Sequence, residues 1–479
     1  MLKIDYLQEL RAKIIARKDK IAAEREKWQS DNSYYYSQLL KSLKFFIPAN
    51  STILHVNCGT GFILERLQPS SATGVEDSPA QIALARKKGL AHINFVCQNP
   101  EELDLGGQKA FDYILVSTIE ELVDIKAVLD SVARYADNHT RIIVTNYNYL
   151  WNPLVNLTEK LKLKYPQELH NWVSPKDMND FLRLSGLDVI ATDTIVLFPY
   201  YIPLVSNLLN RFVARLPFFN NFPLIQLTFA RKLPELKAPG EYSISVVIPC
   251  RNEVGNIQNA VERIPAMGKH TEIIFCDDKS TDGTPEKVRE MMAKYPGKDI
   301  KLVAGPGICK AKNVWTGFDS ATGDILLILD ADLSVIPEEL PYFFEAITRG
   351  FGEFINGSRL VYPMHDDAMK FLNVLGNKFF SMLFSFILDF PLKDTLCGTK
   401  VLWRTDYLNK VKPRRGTWGE DRWGDYDLIF GAAKNLKIIE LPVHYMDRTY
   451  GETKMTNRFR NGWIMLKMCR QSMFKTKFH

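Results

Sequence analysis

The sequence predicts two α/β domains in tandem. On either side of residues 233–241, short apolar strands alternate with helical stretches, a pattern typical of parallel sheets covered by helices on both faces. A chain of 479 residues is also too long for one hydrophobic core of ordinary size. Residues 233–241 combine two prolines, a glycine and several charges. We therefore place a linker there, between domains of residues 1–232 and 242–479.

The composition is that of a folded protein, with 46% hydrophobic and 24% charged residues. The net charge of +6 suits a phosphate-bearing substrate or an anionic membrane surface. Nucleic acid is disfavoured as a partner, because no Lys/Arg run with interleaved aromatic residues stands out. The seven cysteines are scattered without a Cys-x-x-Cys pair, which argues against a disulfide framework and a zinc site. We expect a cytoplasmic protein without a signal peptide.

Residues 1 to about 45 are predicted to be helical, and a strand-turn-helix unit follows over residues 52–67. A helix is predicted at residues 79–88. The further strands of this half are predicted at residues 72–75, 93–96, 113–116 and 141–144. Residues 196–229 are rich in Phe, Tyr, Leu and Pro, with Arg211 and Arg215 as their charged residues. This stretch fits a core, a domain interface or a membrane-surface contact.

In the second half, polar clusters follow predicted strands. The strands lie at residues 243–248, 272–276, 300–303 and 324–329, and the clusters are residues 250–253, 277–284 and 330–332. Ligands of open α/β sheets bind at the carboxyl ends of strands, so these clusters are expected to meet in one crevice. The longest apolar run, residues 379–388, is well short of the roughly 20 residues of a membrane span, and we predict no span.

Asp330 and Asp332 follow a buried strand with one residue between them. Two carboxylates so placed fit Mg²⁺ or Mn²⁺, which neutralises a departing diphosphate. The alternative is a solvated acidic turn, since an isolated Asp-x-Asp is common. The two other polar strand ends favour the metal site.

From residue 243 to about residue 454 the chain resembles family 2 glycosyltransferases, most of all the polyprenyl-phosphate (dolichyl-phosphate) mannose and glucose synthases. The matching segments are VVIPCRNEVGNI, CDDKSTDGT, GPGICKAKNVWTGFDSATGD, LDADLSVIPEEL, NGSRL, DTLCGTKVLWR and RTYGETK. The resemblance implies a GT-A fold and transfer of a hexose from a GDP- or UDP-hexose. The chain lacks the Gln-x-x-Arg-Trp motif of processive synthases, which favours a single transfer.

The resemblance assigns ligands to these motifs. The residues implied to bind the nucleotide sugar are Pro249, Arg251, Glu253, Asp278, Lys310 and Asp330. Asp330 and Asp332 are implied to bind the metal. Arg359, Arg448 and Lys454 are implied to bind donor or lipid phosphates, for which forked guanidinium groups are well shaped. The alternative for each cation is a solvated surface position.

Asp394 and Asp427 align with acidic positions on the acceptor side of the family, and with Asp332 they are our candidate catalytic residues. Helix or turn capping is an equal alternative for both. A phosphate acceptor is already anionic and needs no strong base, whereas a hydroxyl acceptor needs one. Asp427 is the candidate base in that second case.

In the first half, a strand at residues 53–56 runs into a glycine turn, and the next strand ends at Glu76. Such glycines let the backbone approach a nucleoside, and the acid can accept both ribose hydroxyls. Residues 51–188 resemble class I S-adenosylmethionine-dependent methyltransferases, with a Rossmann-like fold, through ILHVNCGTG, GVEDSPAQIALAR and FDYILVSTIEEL. The resemblance implies cofactor contacts by Gly59, Gly61, Glu76 and Asn99.

Two positions depart from that family. His55 stands where an acid is usual, and Asn57 replaces the first glycine of the turn. Asn adopts positive φ more readily than most residues, so we expect the turn to be kept. Loss of the acid weakens the amino-acid end of the cofactor site, which leaves a noncatalytic, scaffolding domain open as an alternative.

The main hypothesis is a bifunctional enzyme: a hexosyltransferase acting on polyprenyl phosphate, fused to a methyltransferase acting on a glycan or lipid intermediate. An alternative directs the sugar to a glycan hydroxyl and makes the first domain noncatalytic. A lipid-linked acceptor implies peripheral attachment to the inner face of the membrane.

Overall fold

The computed structural model describes residues 2–107, 110–161, 163–164, 167, 171–361, 371–419, 421–433, 435–446, 448, 450 and 458–478. Lys454, one of the predicted phosphate ligands, lies outside these residues. The fold divides into two compact units. The first comprises Met1–Pro234 with Phe478–His479, and the second comprises Glu235–Lys477.

The first unit contains a seven-stranded sheet in its described part, in the order β3-β2-β1-β4-β5-β7-β6. The strands are β1 (Thr52–Val56), β2 (Ser71–Glu76), β3 (Ile93–Cys97), β4 (Tyr113–Val116), β5 (Arg141–Tyr147), β6 (Leu187–Ile195) and β7 (Ile225–Lys232). Strands β1 to β5 are parallel, whereas β7 runs antiparallel to both β5 and β6.

Helices cover both faces of this sheet. They are α1 (Leu2–Ile21), α2 (Arg25–Asp31), α3 (Ser33–Phe46), α4 (Phe62–Leu67), α5 (Pro79–Lys87), α6 (Ile125–Ala133), α7 (Asn152–Lys160), α8 (Pro175–Leu184) and α9 (Val205–Arg211). Successive side chains of β1 point to opposite faces. Ile53 packs in a cluster with Phe46 of α3, and Leu54 packs in another with Val128 of α6.

The second unit contains another seven-stranded sheet within the described residues, in the order β10-β9-β8-β11-β13-β12-β14. Its strands are β8 (Ser243–Cys250), β9 (His270–Asp277), β10 (Asp299–Ala304), β11 (Ile325–Ile328), β12 (Phe354–Ser358), β13 (Lys400–Trp403) and β14 (Ile438–Pro442). Strand β13 is antiparallel to β11 and β12, and the remaining neighbours are parallel.

The helices of the second unit alternate with these strands. They are α10 (Val254–Arg263), α11 (Thr284–Lys294), α12 (Lys310–Ser320), α13 (Leu340–Thr348), α14 (Phe371–Leu388), α15 (Arg404–Asp406), α16 (Tyr426–Ala432) and α17 (Arg458–Ser472). In the part of the chain that the structure describes, no helix combines the length and the apolar character needed to cross a bilayer.

The predicted class of two tandem α/β domains is confirmed, and every strand predicted from the sequence is present within a few residues of its predicted bounds. The expectation of wholly parallel sheets is wrong, since β6, β7 and β13 form antiparallel pairs. Strand β7 falls partly in the apolar stretch 196–229, where continuous hydrophobic character hides the strand periodicity.

Helix α12 lies close against β8 and β9 because it carries a glycine at the contact. A Cβ added to Gly317 would overlap the side chain of Val247 and lie 2.6 Å from the Cys276 sulfur. Both neighbours are buried. The contact between α12 and the two strands therefore leaves no room for a methyl group at position 317.

We expect Gly317→Ala to lower the free energy of unfolding by about 1–3 kcal/mol, because overpacking a buried contact forces its neighbours apart. Gly462→Ala is the matched control, since Gly462 is also helical but faces open space. That control should be neutral or stabilising by up to about 1 kcal/mol. Urea unfolding followed by circular dichroism measures both. Equal effects of the two substitutions would contradict the packing argument.

Candidate functional site

The carboxyl ends of β9, β8 and β11 lie side by side in the second unit. Cys250 pairs in register with Asp277, and Ile328 pairs with Val247. The loops that follow these strands each contain a residue with positive φ, namely Asn252 at 54°, Lys279 at 61° and Leu333 at 52°. Non-glycine residues in this region cluster at functional sites. The three polar clusters thus lie at the same edge of the sheet, as predicted.

Hydrogen bonds connect the first two loops to each other. The Asn252 amide donates to the Ser280 hydroxyl at 2.8 Å, and the Thr281 amide donates to the Asn252 side-chain oxygen at 2.8 Å. Glu253 is buried, its amide donates to Thr284 Oγ1 at 2.9 Å, and its carboxylate accepts from Asn256 at 2.8 Å. Both loops are therefore held rigidly beneath the crevice.

The other predicted nucleotide ligands border this rigid pair of loops. Asp278 is buried, and its Oδ1 accepts from the Gly307 amide at 2.6 Å, which fixes the glycine-rich loop. Pro249 is half-buried near the end of β8, and Arg251 is exposed on the loop that follows.

Asp330 and Asp332 are both paired with cations at the end of β11. Lys310 Nζ lies 2.5 Å from Asp330 Oδ1, and Arg448 Nη2 lies 2.8 Å from Asp332 Oδ2. The other oxygen of Asp332 accepts from the amide and hydroxyl of Ser334. Burial alone raises the pKa of Asp330, but the charge and hydrogen bond of Lys310, together with the charges of Lys400 and Arg359, lower the net pKa. Asp330 is therefore ionised at neutral pH.

This pair of carboxylates fits Mg²⁺ or Mn²⁺ bound together with substrate phosphates. Such ions need only one or two protein carboxylates when phosphates and water complete the shell. Among the described residues, no group of three or more His, Cys, Asp or Glu side chains could form an all-protein metal site. The available ligands thus suit a metal that arrives with a diphosphate.

Gly398 and Lys400 complete the floor of the crevice, and the sequence argument missed both. A Cβ on Gly398 would lie 2.6 Å from Cγ of Asp330, so only glycine allows the β13 segment to approach the carboxylate. Lys400 is fully buried and its Nζ lies 2.6 Å from Asp425 Oδ1. Both lie within the motif DTLCGTK, in which only Asp394 was selected from the sequence.

Arg359 and Asp394 form a buried bidentate ion pair. Arg359 Nε and Nη2 donate to the two Asp394 oxygens at 2.7 and 2.8 Å. Asp394 also accepts from the Arg359 amide, the Leu396 amide and the Asn377 side chain. Burial raises the pKa of Asp394, but Arg359 and these donors lower it to about 2. The contacts of Asp394 thus orient Arg359.

Asp427 lies in the first turn of α16 and differs from Asp394 in its hydrogen bonding. Its Oδ2 accepts from the Gly416 amide at 2.8 Å, and its own amide donates to Asp421 at 3.0 Å. Within the described residues, its buried Oδ1 has no hydrogen-bond partner. Burial and the neighbouring Asp421 charge raise the pKa of Asp427 to about 6. It forms no hydrogen bond with Asp330 or Asp332 in this part of the chain.

In the first unit, the glycine turn after β1 has the predicted backbone. Asn57, Gly59 and Gly61 have φ values of 57°, 58° and 75°, so the expectation that Asn57 tolerates the turn is confirmed. The Gly59 amide donates to Glu76 Oε2 at 3.0 Å. A Cβ on Gly61 would lie 2.7 Å from the ring of Phe95. The turn thus needs glycine there for both backbone and steric reasons.

Helix α1 covers the carboxylates at the end of β2. Lys18 Nζ lies 2.9 Å from Glu76 Oε1 and 2.8 Å from Asp77 Oδ1. Burial alone raises the pKa of Glu76, but Lys18 and the hydrogen bonds lower it to about 2. Burial and the adjacent Glu76 charge raise the pKa of Asp77 to about 7. A single ammonium group therefore pairs with both carboxylates.

A small polar cavity lies beside the glycine turn. It measures about 70 Å³, and its lining includes Arg25, Tyr36, His55, Asn57 and Asn146. The side-chain atoms His55 Nδ1, Asn57 Oδ1 and Asn146 Oδ1 are buried there without hydrogen-bond partners in the described residues. Burial lowers the pKa of His55 to about 3, so its ring is neutral. Ligand pockets commonly measure roughly 300–1,000 Å³, so this cavity is small for a nucleoside cofactor.

Asn99 follows β3, the strand next to β2. Its side-chain oxygen accepts from the Glu101 amide at 3.1 Å and so caps the short helix Pro100–Glu102. Arg11 of α1 forms an ion pair with Glu101. Helix α1 therefore lies along the carboxyl edge of β2 and β3, where the resemblance implies the ribose and adenine.

Comparison with known families agrees with this geometry. Residues 245–408 match the model of Glycosyl transferase family 2, and residues 53–138 match a model described as Methyltransferase domain. The chain therefore contains a region similar to family 2 glycosyltransferases, C-terminal to a region similar to a methyltransferase domain, as the motifs predict.

Individual relatives resemble the second unit. The chain is 40% identical over 219 residues to dolichol-phosphate mannosyltransferase of Pyrococcus furiosus, covering 45% of this chain and 60% of that protein. It is 33% identical over 112 residues to undecaprenyl-phosphate 4-deoxy-4-formamido-L-arabinose transferase of Aeromonas hydrophila, covering 22% and 34%. These matches span less than two thirds of the relatives.

One solved structure similar to the first unit is a SAM-dependent methyltransferase, possible histamine N-methyltransferase, of Thermotoga maritima. The match covers 46% of this chain and 99% of that chain, with 16% identity and a TM-score of 0.37.

We expect Lys18→Met to lower the free energy of unfolding of the first unit by about 3–5 kcal/mol at pH 7, because it leaves two buried carboxylates without their ammonium partner. The loss should be smaller at pH 5, where the carboxylates of the variant take up protons in the folded state. Lys20→Met, at an exposed position of the same helix, should change the free energy of unfolding by less than about 0.5 kcal/mol. Urea unfolding at both pH values provides the measurement, and equal losses for the two variants would refute the buried pairing.

Proposed function

We propose that the second unit transfers a single hexose from a GDP- or UDP-hexose to a polyprenyl phosphate, with Mg²⁺ or Mn²⁺ required. One observation carries the proposal: two carboxylates at the end of β11 lie among cations suited to phosphate oxygens. Asp330 and Asp332 are each paired with a cation. Arg359 is held in place by the buried carboxylate of Asp394. The relatives named for dolichol-phosphate and undecaprenyl-phosphate transfer support the same acceptor class.

Asp330 and Asp332 would hold the metal, which when bound supplies positive charge to the diphosphate leaving group. Glu253 and Asp278 border the nucleotide, together with Pro249 and Arg251. Their loops are joined by hydrogen bonds before any ligand arrives, so little ordering remains to be done on binding.

Lys310, Arg359 and Arg448 would bind phosphates of the donor or of the lipid, and Lys454 is proposed for the same role from the sequence. Lys310 is charged at neutral pH, because Asp330 and Asp425 raise its pKa against the effect of burial. Asp394 acts through Arg359, whose guanidinium plane it sets. A planar guanidinium group held in one orientation binds a phosphate better than a mobile guanidinium group does.

A glycan hydroxyl acceptor is the second candidate, and Asp427 favours it. A general base must be able to accept a proton near the working pH. Asp427 has a pKa raised to about 6 and a buried oxygen without a hydrogen-bond partner in the described residues. Product analysis with both acceptor types separates the two candidates.

For the first unit, we propose that it binds S-adenosylmethionine and methylates a glycan or lipid intermediate. Gly59 and Gly61 would lie under the cofactor, Glu76 would accept the ribose hydroxyls and Asn99 would border the adenine. The alternative is a noncatalytic scaffold. The pairing of Lys18 with Glu76 and the small cavity favour that alternative, because a ribose must displace the ammonium to reach the carboxylate.

We propose that the enzyme is cytoplasmic and attaches reversibly to the inner face of the membrane. A polyprenyl phosphate keeps its chain in the bilayer, so the crevice must meet it at headgroup level. Phe379 and Met382 of α14 are 48% and 67% exposed, which gives the second unit apolar side chains for such a contact.

We expect Asp332→Asn to abolish metal-dependent donor binding and sugar transfer, because a neutral amide is a poor ligand for a hard cation. Metal affinity should fall by roughly 100-fold or more, since changes beside metal ligands alone cost about 10- to 100-fold. Calorimetry with UDP and GDP, with and without Mn²⁺, measures binding. Product mass with polyprenyl phosphate or a soluble glycan measures transfer.

Asp324→Asn is the matched control, because Asp324 precedes the opposite end of the same strand. It should leave metal-dependent binding intact. Unchanged metal-dependent binding in Asp332→Asn would remove this residue from the metal site.

We expect S-adenosylmethionine or its demethylated product to raise the melting temperature of the first unit by roughly 5–10 °C at about 100 times its Kd, since a ligand of the native state stabilises by mass action. Glu76→Gln should erase the shift, because the amide is a weaker acceptor for the ribose hydroxyls. Glu65→Gln, at a more exposed site, should keep it. No shift in the unsubstituted chain at millimolar cofactor would favour the scaffold.

A further inference from the structure

The exposed apolar side chains of the first unit are concentrated in two segments, residues 149–163 and 200–222. All but three of the exposed large hydrophobic side chains described in this unit lie there; the exceptions are Tyr6, Leu184 and Leu233. Soluble surfaces rarely carry so dense a set of exposed apolar residues without a partner. We call these two segments the apolar face.

The two segments are neighbours in the fold. The Asn148 side chain donates to the Asn221 carbonyl at 2.7 Å, and the Trp151 indole donates to the Phe222 carbonyl at 2.5 Å. On the first segment, Leu154 and Leu157 are three residues apart and lie on one side of α7, and Leu150 and Leu161 flank this helix. The two segments of the apolar face therefore meet at residues 148–151 and 221–222.

Leu204 is the most exposed of these side chains, at 86%. It has a φ of 65°, a conformation that costs energy for a residue with a Cβ. It immediately precedes α9, so its side chain lies beside that of Leu208, which is 57% exposed. Within the described part of the unit, packing compensates neither for the exposure of the Leu204 side chain nor for its backbone strain.

A basic groove lies next to these two leucines. It measures about 530 Å³ and lies between α3 and α9, with Leu204, Leu208, Lys41 and Arg211 among its lining residues. Tyr34 and Asn210 join the two helices through a hydrogen bond of 3.1 Å. The groove thus places two cations directly beside protruding apolar side chains.

The charges around the groove are almost all positive. Residues 33–46 and 194–234 contain no Asp or Glu, whereas they contain Lys41, Lys44, Arg211, Arg215, Arg231 and Lys232. Partial burial and the charges of Arg211 and Arg215 lower the pKa of Lys41. Arg215 is itself paired with Asp193, so Lys41 and Arg211 are the two cations among the described residues that line the groove. Repulsion of this kind is relieved when an anion binds between the cations.

We infer that the apolar face and the basic groove of the first unit form a docking surface for a bilayer that contains anionic lipids, with lipid phosphates between Lys41 and Arg211 and leucine side chains inserted beside them. Apolar side chains next to cations, with no acids, are what an interfacial membrane site requires. A surface that binds a protein partner of ordinary composition has no reason to lack acidic residues over two separate segments.

This surface adds a membrane contact in the methyltransferase-type unit to the one proposed for the glycosyltransferase unit. It would hold the chain at the bilayer whether or not an acceptor is bound. Vesicle binding is measured without donor, metal or acceptor. A failure of the proposed sugar transfer would therefore leave the membrane inference intact. Likewise, a failure of vesicle binding would leave the proposed sugar transfer intact.

The test uses the full chain and co-sedimentation with two kinds of vesicle, phosphatidylcholine alone and phosphatidylcholine with about one third phosphatidylglycerol. Leu204→Asn/Leu208→Gln removes apolar surface and replaces it with polar side chains. We expect it to lower binding to both vesicles by roughly tenfold. Lys41→Gln/Arg211→Gln should lower binding to anionic vesicles by roughly tenfold and leave binding to neutral vesicles unchanged.

Matched controls lie on other elements of the same unit. Leu184→Gln, at a side chain 67% exposed, and Lys87→Gln/Lys176→Gln, at exposed positions of α5 and α8, should bind vesicles like the unsubstituted chain. Circular dichroism and melting temperature establish that each variant is folded.

Two results would overturn the inference. The first is vesicle binding by the groove and leucine variants that equals that of the controls. The second is evidence that a second protein molecule covers the surface. In that case light scattering would show a dimer, and Leu204→Asn/Leu208→Gln would convert it to a monomer without changing vesicle binding.

Discussion

Neutralisation of buried carboxylates at the carboxyl ends of parallel strands is the constraint on which both units depend. Parallel strands bring several loops to one edge, and acidic residues placed there lose water. A buried carboxylate without a cation is costly. In each unit the cation comes from an element outside the strand: Lys18 from α1, Lys310 from the start of α12, and Arg448 from beyond β14.

In the second unit this arrangement prepares the crevice for phosphate chemistry. Cations that neutralise Asp330 and Asp332 in the free chain are also the groups that suit a diphosphate. The proposed metal and donor would therefore exchange partners with groups already in place. Arg359 is held by Asp394 in the same way, so its orientation is fixed before a ligand arrives, which limits the entropy lost on binding.

In the first unit the same constraint has the opposite consequence. Lys18 pairs with Glu76 and Asp77, so α1 covers the edge that the resemblance implies for the ribose. The cavity left beside the glycine turn is about 70 Å³. The proposed cofactor would therefore compete with an internal ion pair, whereas the proposed donor would meet cations that are already in place.

The sequence by itself determined the tandem α/β class, the parallel strands, the glycine turn with Asn57 at positive φ, and the meeting of the loops after β8, β9 and β11 at one edge of the sheet. These follow from local patterns: strand periodicity, turn residues and the rule that strand ends meet at one edge. Only the tertiary structure decided the antiparallel strands β6, β7 and β13, the ion pairs of Glu76 and Asp394, and the buried Lys400. The partners in these pairs lie 58, 35 and 25 residues apart. No local pattern encodes such contacts, because they form only when packing brings distant segments together and burial makes a missing counter-ion costly.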